Sequence, residues 1–133
     1  MAKKLTLSIV LDGLMSKYSD RVPAVKKIVS AMIDQGLIHH DSDIINDHIA
    51  FRTMGVPHLG IGSLEKIFLS LGYVKKDKYY FPGKKLDAFW YAPPQNPPNL
   101  PRVFISELRV HELSKSVQDI INKYTDPISK DPV

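Results

Sequence analysis

His48, Arg52 and Glu107 are the residues whose types and spacing could do chemistry in this chain. His48 and Arg52 stand in DHIAFRTMGV, residues 47–56. The segment from Asn46 to Thr53 alternates as a strand does, with Ile49 and Phe51 on one face and His48, Ala50 and Arg52 on the other. If Ile49 and Phe51 enter a core beneath a helix, His48 points to the opposite, concave side. An imidazole there is a natural metal ligand at neutral pH. The plainer alternative is a hydrogen-bonded histidine on a half-buried sheet. At roughly 3.3 Å per residue, the Cα of Arg52 lies ~13 Å from that of His48. The pair would hold a small acid, one end on a metal and a carboxylate in the arginine fork. A surface arginine paired with Asp47 or Glu107 is the competing account.

Glu107 falls inside the apolar run Val103-Phe104-Ile105-Ser106-Glu107-Leu108. A carboxylate there is costly unless it is paired, hydrogen-bonded or bound to a metal. It shares a face with Val103, Ile105 and Arg109, so ligand and ion-pair accounts both stand. Lys84 and Lys85 follow a Pro82-Gly83 turn. Either could approach an anionic substrate or simply be solvated. Trp90 and Tyr91 read as sheet packing. His39, His40 and His58 have no carboxylate at ligand spacing. His111 has only Glu112 beside it, and neighbours on a strand face opposite ways. A Gly-rich phosphate loop, GxSxG and HExxH are all absent from the sequence.

The elements that must position these residues follow from periodicity. Leu5 to Lys17 has the spacing of a short helix, through Leu5, Ile9, Leu11, Leu14 and Met15. Asp20 is a candidate N-cap for a second helix, with Pro23 in its first turn, a stripe of Val22, Val25, Val29, Met32 and Ile33, and a stop at Gly36. After the strand at 46–53 and a glycine-rich loop, Ser63 would cap a helix carrying Leu64, Ile67, Phe68 and Leu71. Two strands then flank Pro82-Gly83, and APPQNPPNLP is a stiff connector. Arg102 to Val110 reads as a last strand and Val117 to Tyr124 as a closing helix. These expectations divide the chain into an N-terminal helical pair (1–44), a βαβββ module (45–124) and a tail (125–133). One such module leaves an open concave sheet face that calls for a partner.

Composition narrows the function classes. The chain has 133 residues, 44% of them apolar and 24% charged, ordinary for one globular domain. With no cysteine, disulfides, thiolate metal sites and cysteine nucleophiles are excluded, so a metal would rest on histidine nitrogen and carboxylate oxygen. The net charge of +4 comes from lysine pairs scattered along the sequence, which suits solvated faces and not a nucleic-acid groove. No segment approaches the roughly 20 apolar residues of a membrane span. The basic start is interrupted at Asp12, so a cytoplasmic protein or a post-targeting fragment is expected.

Three strings, DHIAFRTMGV (47–56), FPGKKLDAFWYAPP (81–94) and LPRVFISELRVHELS (100–114), together resemble the 2-oxoadipate dioxygenase/decarboxylase family, also called hydroxyglutarate synthases, of the vicinal-oxygen-chelate superfamily. LSLGYV (69–74) fits the same pattern, and the resemblance covers about residues 45–124. It implies an α+β fold with one βαβββ, glyoxalase-like module of a pair that forms a metal-binding cup. The implied activity is that of a non-haem enzyme using Fe(II), or another divalent metal, and O₂. The reaction would convert 2-oxoadipate to 2-hydroxyglutarate with release of CO₂, in lysine catabolism. By the D-H-x-A-F-R motif, His48 is the first of two histidine ligands and Arg52 binds a substrate carboxylate; Lys84 or Lys85, outside that motif, could assist from the turn. The other histidine and the glutamate ligand belong to the second module in this family. A missing second module or a homodimer, with His48 and Glu107 from each chain around one metal, would then complete the site. A non-catalytic module that binds a small anion or dimerises is the alternative from a different class.

Overall fold

The computed structural model describes residues 2–133, with side chains from Thr6 onward. By internal contacts the chain falls into two compact units, Met1–Asn46 and Asp47–Val133. The first unit is a pair of helices, α1 (Ala2–Arg21) and α2 (Pro23–Asp34). Helix α1 runs longer at both ends than the apolar spacing at 5–17 predicts, and the side chain of Leu5 lies outside the described set. It stops because Val22 precedes a proline, and the proline ring disfavours helical geometry in the residue before it. Pro23 then opens α2, where its missing N–H costs nothing. The expected cap by Asp20 is not made: Val22 occupies the N-cap position without a side-chain bond, and Asp20 accepts from Lys26 Nζ at 2.8 Å. Gly36, at φ +70°, closes α2 with the left-handed residue that glycine supplies most cheaply.

The second unit is built around β1 (His48–Met54), α3 (Ile61–Ser70), β2 (Val74–Phe81), β3 (Leu86–Ala92), β4 (Arg102–Leu108) and α4 (Lys115–Thr125). The four strands form one sheet in the order β1-β4-β3-β2, with β1 parallel to β4 and the other pairs antiparallel. A register shift between Lys75 and Lys78 bends β2. Lysines on this exposed edge strand discourage further pairing.

The core lies between α3 and the sheet. Tyr91, Val103 and Ile105 are fully buried, and Phe68 sits 5.3 Å from Phe51 and 5.7 Å from Tyr73, ring centre to ring centre. Beneath the helix the Tyr91 hydroxyl donates to Glu65 at 2.6 Å, and Lys75 pairs with the same carboxylate at 2.8 Å. Burial, then the Glu65 carboxylate, pushes the Tyr91 phenol far above its ordinary range, so it stays a donor.

Helix α3 begins at Ile61 and not after a cap at Ser63. Gly60 takes the N-cap position, and the buried Ser63 hydroxyl donates to Asp131 at 2.6 Å. Asp131 also pairs with Lys66, so the segment expected as a loose tail is tied back to the first turn of α3. The last strand ends at Leu108, two residues short of expectation, because Val110–Glu112 turn into a short 3-10 helix. That turn, in place of strand alternation, brings His111 within 3.9 Å of Glu112. Glu112 is instead engaged by the buried Arg109, at 2.7 and 3.3 Å.

Candidate active site

The alternation in β1 holds. Phe51 packs against α3, while His48, Ala50 and Arg52 lie on the opposite, exposed face. Register places His48 beside Arg102, Ala50 beside Phe104 and Arg52 beside Ser106. One side of the sheet therefore carries two arginines and a histidine over a floor of Phe104, Ala88 and Trp90. At the His48 end this face opens into a concavity of about 640 Å³, lined by Asp47, His48, Ala50, Asp77, Tyr79, Trp90, Arg102, Val103 and Phe104.

His48 is held at one edge. Its Nδ1 faces Asp47 Oδ2 at 3.2 Å, and Asp47 Oδ1 accepts from the Arg102 guanidinium at 2.9 Å. Across the concavity the Trp90 indole N–H donates to Asp77 at 3.0 Å. Arg52 stands four residues along β1, outside the lining of this concavity, and makes no hydrogen bond or ion pair among the described residues. Both partners considered for it are otherwise engaged, Asp47 by Arg102 and Glu107 by α3.

Glu107 is turned away from His48. It pairs in register with Thr53 and Asp87 on the helix side of the sheet, and its carboxylate accepts from the Ile61 N–H at 2.8 Å. It thus satisfies one of the free donors at the start of α3, where the helix dipole also favours an anion. Sequence reasoning assigned that work to Ser63. Within one chain, His48 and Glu107 therefore do not share a face of the sheet. Lys85 is likewise occupied, its Nζ donating to the Glu112 carbonyl at 2.6 Å, and Lys84 remains exposed in the β2–β3 turn. That turn lies at the Arg52 end of the sheet, since Leu86 pairs with Leu108 and Leu108 with Met54.

Sequence reasoning missed Arg102 and treated Asp47 only as a possible partner for Arg52. Both lie inside the strings quoted above, but their convergence depends on the parallel β1–β4 register, which brings together two residues 55 apart. Among the described residues, no three His, Cys, Asp or Glu side chains are placed to hold a metal ion. His48 fits one corner of a metal site, and the donors of this chain do not fit a whole one.

A four-stranded mixed sheet covered on one face by α3, with histidine and arginine on its other face, defines an α+β glyoxalase-like module. A glyoxalase-superfamily protein from Ralstonia eutropha JMP134 shares that fold, with a TM-score of 0.74 over 90% of this chain at 22% identity. The chain belongs to the 2-oxoadipate dioxygenase/decarboxylase family, whose sequence pattern matches residues 10–131. The chloroplastic 2-oxoadipate dioxygenase/decarboxylase of Arabidopsis thaliana is 41% identical over 127 residues, covering 88% of this chain. The hydroxyglutarate synthase of Oryza sativa, crystallised with 2-oxoadipate, superposes with a TM-score of 0.83 at 40% identity over 94% of this chain and 41% of that one. The chain spans about a third of the length of the curated relatives it matches, 33% of the Arabidopsis protein. Among the described residues, no helix is long and apolar enough to cross a membrane.

Proposed function

We propose that this chain is one module of a dioxygenase/decarboxylase acting on a small 2-oxo diacid such as 2-oxoadipate. The reaction is 2-oxoadipate plus O₂ giving 2-hydroxyglutarate plus CO₂, in lysine catabolism. The observation that carries the reading is the pairing on one open sheet face of His48, its Nδ1 side engaged by Asp47, with an Arg52 guanidinium that has no partner among the described residues. Arg52 binds a substrate carboxylate in a two-pronged contact. Lys84, exposed at the same end, adds positive charge, whereas Lys85 contributes only by leaving the Glu112 carbonyl. Fe(II), or another divalent metal, would be held by His48 together with donors from a second module, and supplies O₂ activation when bound. A cytoplasmic location goes with this reading, and imaging of the tagged protein tests it against the plastid location in the name of its Arabidopsis relative.

Titration of 2-oxoadipate and Fe(II) into the anaerobic protein, followed by NMR, tests the proposal. Fe(II) should broaden the His48 ring signals, and 2-oxoadipate should shift the Arg52 guanidinium signals in the wild type and not bind Arg52→Gln. Binding indifferent to both residues would overturn it. A second reading, a non-catalytic module for small anions, is favoured by the lack of a complete donor set among the described residues. O₂ uptake by the iron-loaded protein, once a second module is present, would exclude it.

A further inference from the structure

Asp47 stands one residue before β1, outside the ladder, so strand alternation does not send its side chain to the face opposite His48. Arg102, the first residue of β4, grips it twice. The Arg102 backbone N–H donates to the Asp47 carbonyl at 3.0 Å, and the guanidinium donates to Oδ1 at 2.9 Å. The remaining carboxylate oxygen faces His48 Nδ1 at 3.2 Å. Asp77, the other carboxylate lining the concavity, is engaged by the Trp90 indole.

We propose that Asp47, steadied by Arg102, is a positioning residue that keeps the His48 proton on Nδ1 and so leaves Nε2 as the free donor atom. A carboxylate can only accept, so the atom facing it carries the proton. This reverses the preference of a free histidine side chain, which favours the proton on Nε2. The contact joins two exposed side chains, His48 at 62% and Asp47 at 73%, and alone would be weak. Anchoring of Asp47 by its neighbour on β4 removes much of the freedom that weakens such pairs. A carboxylate behind a metal-binding imidazole fixes both ring orientation and tautomer. The inference deepens the proposed function and rests on His48 acting as a donor there, but the tautomer is measurable without metal or substrate.

The test is a side-chain ¹⁵N–¹H correlation spectrum of the intact chain at pH 9, above the ordinary imidazole range. Wild type should show His48 predominantly protonated on Nδ1. Asp47→Ala should shift the ratio tenfold or more towards Nε2–H, Arg102→Gln should shift it partway, and Asp77→Asn should leave it unchanged. If Asp47→Ala loses its folded backbone spectrum, Arg102→Gln carries the test, because Asp47 remains. A wild-type His48 protonated on Nε2 would overturn the assignment, as would a tautomer ratio unmoved by either variant. The same sample is then titrated with Zn²⁺. An Asp47-dependent Nδ1–H form whose Nε2 signal Zn²⁺ does not shift upholds the positioning role and counts against the metal reading alone.

Discussion

Removal of the Glu107 carboxylate strips the start of α3 of an acceptor 46 residues distant in sequence. Glu107→Ala should lower unfolding free energy by about 1–2 kcal/mol, the usual effect of losing a helix N-terminal acceptor. Urea denaturation measures it. Divalent-ion binding at His48 should be unchanged, since the two residues lie on opposite faces of the sheet. Arg52→Lys is the complementary change. It keeps the charge but loses the planar fork, so 2-oxoadipate should bind roughly tenfold more weakly with stability unaltered, as calorimetric titration would read. Strand alternation alone made the placement of His48 and Arg52 legible, because side chains two apart share a face whatever the tertiary fold. The job of Glu107 was not legible. The same alternation put it with Val103 and Ile105, but nothing local says that Ile61 N–H waits there.

At the scale of elements, order and type could be read from the sequence, while boundaries depended on contacts across the fold. Ser63 looks like a helix cap, yet the cap stands three residues earlier because Gly60 adopts φ +93° and ψ −175°, a conformation essentially reserved for glycine. A Cβ at Gly60 would stand 2.7 Å from Glu107 Oε2. Gly60→Ala should therefore cost about 1–3 kcal/mol from backbone strain alone and displace the Glu107 contact, lowering the thermal midpoint more than Glu107→Ala does. The C-terminal segment teaches the same lesson. DPISKDPV has the composition of a loose end, but Asp131 is held well below its ordinary 3.8 by Lys66 first and Ser63 second. A carboxylate with a depressed folded value adds stability above its unfolded value and loses it as pH falls through the lowered folded one. The attachment should thus be intact at pH 7, persist below pH 4 and fail only in stronger acid. Limited proteolysis near residue 130 across that range would follow it. Asp131→Asn should expose the segment at neutral pH, with the difference from wild type vanishing at the acid end.

For the whole molecule, the decisive number is how many metal donors one chain brings to the cup. In the proposed reading His48 is one, Glu107 is turned to the other face, and no triad of ligating groups exists among the described residues. Two copies of this chain would then offer two imidazoles and no carboxylate of the expected kind, so doubling does not rebuild a two-histidine, one-glutamate site. Relatives three times as long have room for a second module, and α4 leaves Val117, Ile120 and Tyr124 exposed at 41, 62 and 74% for something to cover. The 133-residue chain, loaded anaerobically with Fe(II) and desalted, should retain well under one iron per chain. It should also consume no O₂ with 2-oxoadipate, whatever its mass by light scattering. Joined to the second module of a family member, it should hold one iron per pair of modules and turn over 2-oxoadipate. His48→Ala should abolish both iron retention and turnover in the joined protein. Stoichiometric iron and O₂ uptake in the 133-residue chain alone would mean that its own residues complete the site, and would overturn the division of donors argued from Glu107.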